Sequence, residues 1–266
     1  MKNALYCGAL LMITVLAPVF AMAQQPSKAP LEVTADDALE WDRTGQKFIA
    51  RGNAIAAQDG VSISAQTLTA EYDEAGNGNS DFNMHTMIAQ AGVVLKSEDN
   101  IAYGEHAVYD LTHKIATLSG GDLRLVTPEQ TIKARDRFEY HVEAGKLIAL
   151  GGATIIRPTD TLYADKITAT LGENAQGERV VETVVAQGNV VITTQQERVT
   201  GAYGLYDARM NTVDLTGGVV ITRGQNILQG DRAKVDLNTQ VSQLFGGSSG
   251  DASGRVTGTF YPDEAP

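Results

Sequence analysis

Cysteine is all but missing from this chain: the single one, Cys7, stands at its very start. No internal disulfide is available, and a thiolate zinc site lacks its ligands. Histidine is almost as scarce. His85, His106, His113 and His141 are the four, and none has another two to four residues away, so a histidine metal site has no local framework. Basic charge is outweighed, with 21 Lys and Arg against 32 Asp and Glu, which makes nucleic acid a poor partner. Helical periodicity is missing too, since no stretch reads as a long helix.

What is present begins with an export signal. Lys2 supplies a positive charge, Ala9 to Phe20 is apolar apart from Thr14 and Pro18, and Ala21-Met22-Ala23 is a small-x-small cleavage signature before Gln24. The run is short for a bilayer span and has the layout of a signal peptide over residues 1–23; an uncleaved inner-membrane anchor is the other reading. Cleavage removes Cys7, which lies too early to be a lipoprotein cysteine. The mature chain then has neither thiol nor disulfide, and burial and backbone pairing must hold it together. Lys2 leaves with the signal, so 20 basic residues face 32 acidic ones, an excess that favours solubility.

A linker over 24–30 leads into a unit written seven times. Its opening anchors are Ala35, Ala65, Gly104, Ala134, Ala164, Gly201 and Gly230; its closing anchors are Gly52, Ala91, Gly120, Gly151, Gly188, Gly217 and Gly246. From closing to next opening anchor the spacing is 13 residues, once 14; from opening to closing it varies from 16 to 26. One half of the unit is fixed, and the other carries insertions near 74–85 and 172–180. Such self-similarity marks a stacked or coiled architecture.

Each copy reads as β-structure. Leu68-Ala70-Tyr72, Ala107-Tyr109-Leu111, Ile167-Ala169-Leu171 and Ala233-Val235-Leu237 alternate with mostly polar residues, so one face meets a core and the other water. Leu39-Trp41 and Phe138-Tyr140-Val142 fill the role in copies one and four. Runs such as Val93-Val94-Leu95, Val190-Val191-Ile192 and Val219-Val220-Ile221 are apolar on both faces and stay ambiguous. Asp73, Asp110, Asp207 and Asp236 end strands and predict Asx-type turns. The glycine pairs at 120–121, 151–152 and 217–218 predict bulges or sharp bends.

Catalytic motifs are weak. Gly246-x-Ser248-x-Gly250 imitates a nucleophile elbow, but no histidine follows it, and the tail 246–266 reads as flexible. The loop at 76–81 lacks the EF-hand glycine and glutamate. No enzyme, cofactor or metal is expected.

The segments Val33-Thr34-Ala35-Asp36, IARGNAIA (49–56), Ile63-Ser64-Ala65 and Ala70-Glu71-Tyr72-Asp73, echoed by VVAQGNVVIT (184–193) and AYGLYD (202–207), resemble the repeat of the LptA/OstA family, organic-solvent-tolerance-like proteins. The resemblance spans roughly residues 31–245. It implies an all-β open antiparallel jelly roll, taco-like, whose apolar groove takes lipopolysaccharide acyl chains in the periplasm. It also implies a bridge from inner to outer membrane. Partners would be the inner-membrane adaptor of the exporter, the outer-membrane assembly barrel, and further copies joined head to tail through open edge strands at 31–42 and 226–245. Groove candidates are Leu68, Tyr72, Tyr109, Leu111, Phe138, Tyr140, Ile167, Leu171, Tyr206 and Val235. Two features depart from the family: the chain is longer than its compact shuttles, and it has the two insertions. Phe82, Met84 and Met87 give the first insertion apolar bulk suited to lipid or a partner, whereas the second is polar and reads as a plain solvated turn.

The competing reading is a secreted right-handed β-helix, a polysaccharide lyase or an adhesin. Against it stand the lack of a recognisable acidic and basic active-site motif and of apolar stacks at fixed coil positions. The adaptor's soluble part and the barrel's N-terminal domain are further family readings, disfavoured by the cleavable signal and by the lack of barrel strands downstream.

Overall fold

The computed structural model describes residues 30–74, 82–97, 99–175, 179–239, 241–247 and 254–261. The signal segment, the loop at 76–81 and the Ser248 motif lie outside the described residues. The chain divides into two compact units between Gly151 and Gly152.

The first unit, from residue 30 to Gly151, holds β1 (Glu32–Thr34), β2 (Ala38–Asp42), β3 (Lys47–Gln58), β4 (Val61–Glu74), β5 (Phe82–Ser97), β6 (Asn100–Asp110), β7 (Ile115–Ser119), β8 (Arg124–Val126), β9 (Thr131–Lys133), β10 (Arg137–His141) and the start of β11 (Lys146–Ile156). β1 and β2 lie in line along β3, and β4, β5 and β6 follow in order. β7 and β8 lie in line along β6; β9 then pairs with β8, and β10 with β7 and β11. The second unit, from Gly152, is a meander of β12 (Asp160–Glu173), β13 (Arg179–Thr194), β14 (Arg198–Asp207), β15 (Thr212–Arg223) and β16 (Asn226–Asp236). It ends with β17 (Val241–Phe245) and β18 (Thr257–Thr259), both on the free side of β16. These pairings are all antiparallel. A right-handed β-helix stacks parallel strands, so that reading is excluded.

The sequence anchors are the points where the strands bend. At the closing anchors two consecutive residues take positive φ: Gly52 and Asn53, Ala91 and Gly92, Gly120 and Gly121, Gly151 and Gly152, Gly188 and Asn189, Gly217 and Gly218. Pairing slips at the same places, between Arg51 and Ala54, Gln90 and Val93, Gln187 and Val190, and Thr216 and Val219. The opening anchors lie on the neighbouring strand at the crease and must be small. A Cβ on Gly104 would come within 2.8 Å of Leu118 Cδ1, and Ala164 is fully buried. Where the bend goes further the strand breaks, as between β1 and β2 or between β9 and β10.

Every bend separates two arms. The short arm is the fixed 13-residue half, closed by tight hairpins such as Arg157–Asp160 and Thr194–Glu197, in each of which the first N–H bonds the last carbonyl, at 2.9 and 2.8 Å. The long arm carries the variable turns. Both arms bury the same side. On β12, Leu162 on the short arm and Ile167, Ala169 and Leu171 on the long one are all at most 6% exposed. Within a unit the arms thus close their apolar sides on each other, which is the predicted jelly roll. The ambiguous third runs are resolved as well: Val190 and Ile192 point inward at 1% and 6%, and Val191 is half-buried on the outer side.

Asp110, Asp207 and Asp236 form the predicted turns, accepting backbone N–H bonds from His113 (2.8 Å), Met210 (2.9 Å), and Asn238 and Thr239 (2.9 and 3.0 Å). The described flanks of both insertions are strand. Pairing continues to Glu74 with Phe82 and to Glu173 with Arg179, and β5 and β13 reach 16 residues each. Val235 is not in an edge strand: β16 is flanked by β15 and β17, with Val235 opposite Val213 and Ser242. The edge is instead β17 with β18, the latter formed within the segment read as a tail.

Candidate functional site

The inward side of the long arm holds every groove candidate. In the first unit Tyr72, Phe138 and Tyr140 are 1%, 6% and 3% exposed, and Leu68, Tyr109 and Leu111 are half-buried. In the second, Ile167, Leu171, Tyr206 and Val235 are all buried. Alternation places them there, and the Asx turns fix where each strand ends. The short arm supplies the other half of each interior, through Val61, Val93, Leu95 and Leu125 in one unit and Leu162, Val190, Ile192, Val199, Val219 and Ile221 in the other. Sequence reading missed this half because its runs are apolar at consecutive positions, which hides the period of two.

At the first strands the inward side is uncovered. Leu39 and Trp41 share it with their partners Ala50 and Phe48, yet are 64% and 46% exposed. Trp41, Phe48, Tyr72 and Phe82 form an aromatic cluster with ring centroids 4.8 to 5.6 Å apart. Trp41 Nε1–H donates to the Tyr72 hydroxyl at 2.8 Å, and the Arg43 guanidinium lies 4.1 Å from the indole centroid. Phe82, at the edge of the first insertion, thereby joins apolar surface rather than solvent alone.

The short-arm tips of both units turn polar on the inward side. In the first unit these groups are neutral: Ser97, Asn100 and Gln130, all buried. In the second they are charged. Arg157 donates from Nε and Nη2 to Asp160 Oδ1 at 2.9 and 2.5 Å, with the two side chains only 9% and 6% exposed. Thr159 Oγ1 donates to Asp160 Oδ2 at 2.9 Å. Glu197, with a side chain 6% exposed, pairs with Arg223 at 3.6 Å, and Arg223 donates to Gln196 Oε1 at 3.2 Å. Burial pushes the pKa of the Tyr206 hydroxyl up, and the Arg157 charge pulls against it. Burial likewise raises the pKa of Tyr109, against the nearby Lys114.

A third regularity escaped the sequence reading: an acid directly after the opening anchor braces the bend. Asp36 accepts from Asn53 Nδ2 at 2.8 Å, Asp165 from Asn189 Nδ2 at 2.9 Å, and Glu105 from the Gly92 N–H at 3.1 Å. The signal was present as Ala35-Asp36, Gly104-Glu105 and Ala164-Asp165. Among the described residues no group of three His, Asp or Glu stands close enough to hold a metal ion.

This architecture, two units of bent antiparallel strands with apolar interiors, is that of a β-jelly-roll protein. The family profile described as LptA/(LptD N-terminal domain) LPS transport protein matches twice, over residues 32–146 and 131–241. The chain belongs to that family. Among solved structures it is similar to LptH from Pseudomonas aeruginosa, titled the LptA homologous periplasmic component of the conserved lipopolysaccharide transport device. Identity is 11%, with 88% of this chain and 96% of that chain covered, at a TM-score of 0.19. Comparison with curated proteins finds no match.

Proposed function

We propose that this protein carries lipopolysaccharide through the periplasm, holding its acyl chains between the two arms, without catalysis, as part of a bridge from inner to outer membrane. The observation that carries the reading is the unbroken apolar inward side of successive strands in a chain of the lipopolysaccharide transport family. Moving several acyl chains through water exposes apolar area whose burial is worth about 25 cal/mol per Å². A sandwich closed by side-chain packing, not by a covalent link, can part its arms and substitute acyl chains for its own contacts. The groove candidates are Leu68, Tyr72, Tyr109, Leu111, Phe138, Tyr140, Ile167, Leu171, Tyr206 and Val235, now joined by their short-arm counterparts.

By family, the partners are the exporter's inner-membrane adaptor and the outer-membrane assembly barrel. Copies associate head to tail through β1 with β2 at one end and β17 with β18 at the other, since an edge strand presents unpaired backbone groups. The test is mass spectrometry of lipid that co-purifies with the exported protein, followed by photo-crosslinking. Crosslinkers at Tyr109 and Ile167, on the inward side, should label with lipopolysaccharide. Those at His106 and Lys166, on the outer side, should not. Equal labelling of the two pairs would overturn the assignment.

A further inference from the structure

Along the second unit's short arm the inward side is apolar from the crease outward, through Ala153, Ile155, Leu162, Val190, Ile192, Val199, Val219 and Ile221, and then becomes ionic at the hairpin tips. Arg157 and Asp160 occupy one tip, Glu197 the next, and Arg223 the third. Buried ion pairs are seldom the most stable filling of such a place, because desolvation offsets most of the attraction and apolar side chains do as well or better. The four charges sum to zero; the Arg157 guanidinium is nearly dry, its side chain 9% exposed, while the Arg223 side chain is 36% exposed at the rim.

We propose that this lip binds the phosphorylated sugar headgroup of the carried lipid, with Arg157 and Arg223 as ligands for two separate phosphates. The proposal rests on the transport reading, for acyl chains lying between the arms leave the headgroup at the polar margin. Arg157 extends β11 and Arg223 ends β15, four strand spacings away, or about 19 Å at 4.7–4.9 Å per spacing. Each guanidinium exchanges its carboxylate for a phosphate, which brings more charge and more acceptor oxygens in the planar geometry that arginine favours. Asp160 keeps its bond from Thr159 when Arg157 leaves. The first unit's neutral tips, with Ser97, Asn100 and Gln130, offer no such cations on their inward side.

The test uses the full mature chain and lipid A in diphosphoryl, monophosphoryl and dephosphorylated forms. The wild type should bind the diphosphoryl form at least about tenfold more tightly than the dephosphorylated one, as expected for charge-assisted bonds. Arg157→Gln combined with Asp160→Asn removes the first pair together, so that no lone buried charge is left to unfold the protein. It should bind the dephosphorylated lipid as before and lose about half of the preference on a logarithmic scale; adding Arg223→Gln with Glu197→Gln, again as a pair, should abolish the rest. Asp160→Asn alone frees Arg157 from its carboxylate and should enlarge the preference. Equal wild-type affinity for all three lipids, or a preference that survives loss of both arginines, would overturn the headgroup site while leaving acyl transport intact. Binding of none of the three would overturn both. Binding of inorganic phosphate to the lipid-free protein as tight as that of the diphosphoryl lipid would make free phosphate the ligand and refute the headgroup assignment.

Discussion

At the scale of single residues, the bends show how little freedom the repeat leaves. Gly217 and Gly218 both have positive φ, +85 and +70, which an L side chain enters at a cost of about 1–2 kcal/mol. They differ in surroundings. A Cβ on Gly218 meets nothing within 4 Å, whereas one on Gly217 would stand 2.5 Å from the Ala202 Cβ. Gly218→Ala should therefore cost only the backbone term, and Gly217→Ala a further ~1–3 kcal/mol of overpacking. Urea unfolding of the two variants checks this through the order of their midpoints; equal midpoints would mean that the crease is not tightly packed. Ala91, at φ 64, occupies the place that glycine holds in the other copies, and Ala91→Gly should relieve strain at the cost of some unfolded-state entropy.

At the scale of elements, the two ends of the strand order differ. β2 pairs with β3 alone and carries Leu39, 64% exposed, on its inward side. β17 and β18 cap β16 and expose Val241, Phe245, Phe260 and Tyr261. Leu39→Glu places a charge on the first edge at an exposed site, so its effect on stability should stay within about 0.5 kcal/mol. The same acid should block strand addition. Sedimentation over a concentration series should show growth for the wild type and none for the variant, with unchanged circular dichroism; equal growth would clear β2 of a role in assembly.

At the scale of the whole molecule, acidic excess sets the response to pH. The carboxyls of Asp110, Asp136, Glu143 and Asp236 are held below the usual carboxylate range, Asp110 by the His113 backbone N–H and ring, Asp136 by Arg135, Glu143 by Lys114, and Asp236 by the Thr239 N–H. A carboxyl whose folded pKa lies below its unfolded one stabilises the fold above the unfolded value, near 4, and loses that contribution as pH falls through the folded value. All four are solvent-exposed, so each contribution is small. The thermal midpoint should stay level from pH 7 to about 5 and decline below about 4. A decline that begins near pH 6 would overturn this account.

The sequence by itself determined the β class, the repeat, the place of six of the bends and the Asx turns at Asp110, Asp207 and Asp236; Asp73, read the same way, lies instead within β4, opposite Asn83. These depend on local chemistry: alternation at a period of two, a small residue at a crease, positive φ at a glycine pair, an aspartate that caps its own turn. The long-arm half of the interior was legible for the same reason, as in Ile167-Ala169-Leu171. Only the tertiary structure decided what faces what. It put the doubly apolar short-arm runs inward, carried the strands on into the described flanks of the insertions, moved Val235 away from the edge by adding β17 and β18, and gathered Arg157, Asp160, Glu197 and Arg223 at one lip. Those outcomes arise from contacts between residues tens of positions apart, and the cost or gain of burying a side chain is set by neighbours that spacing along the chain does not name.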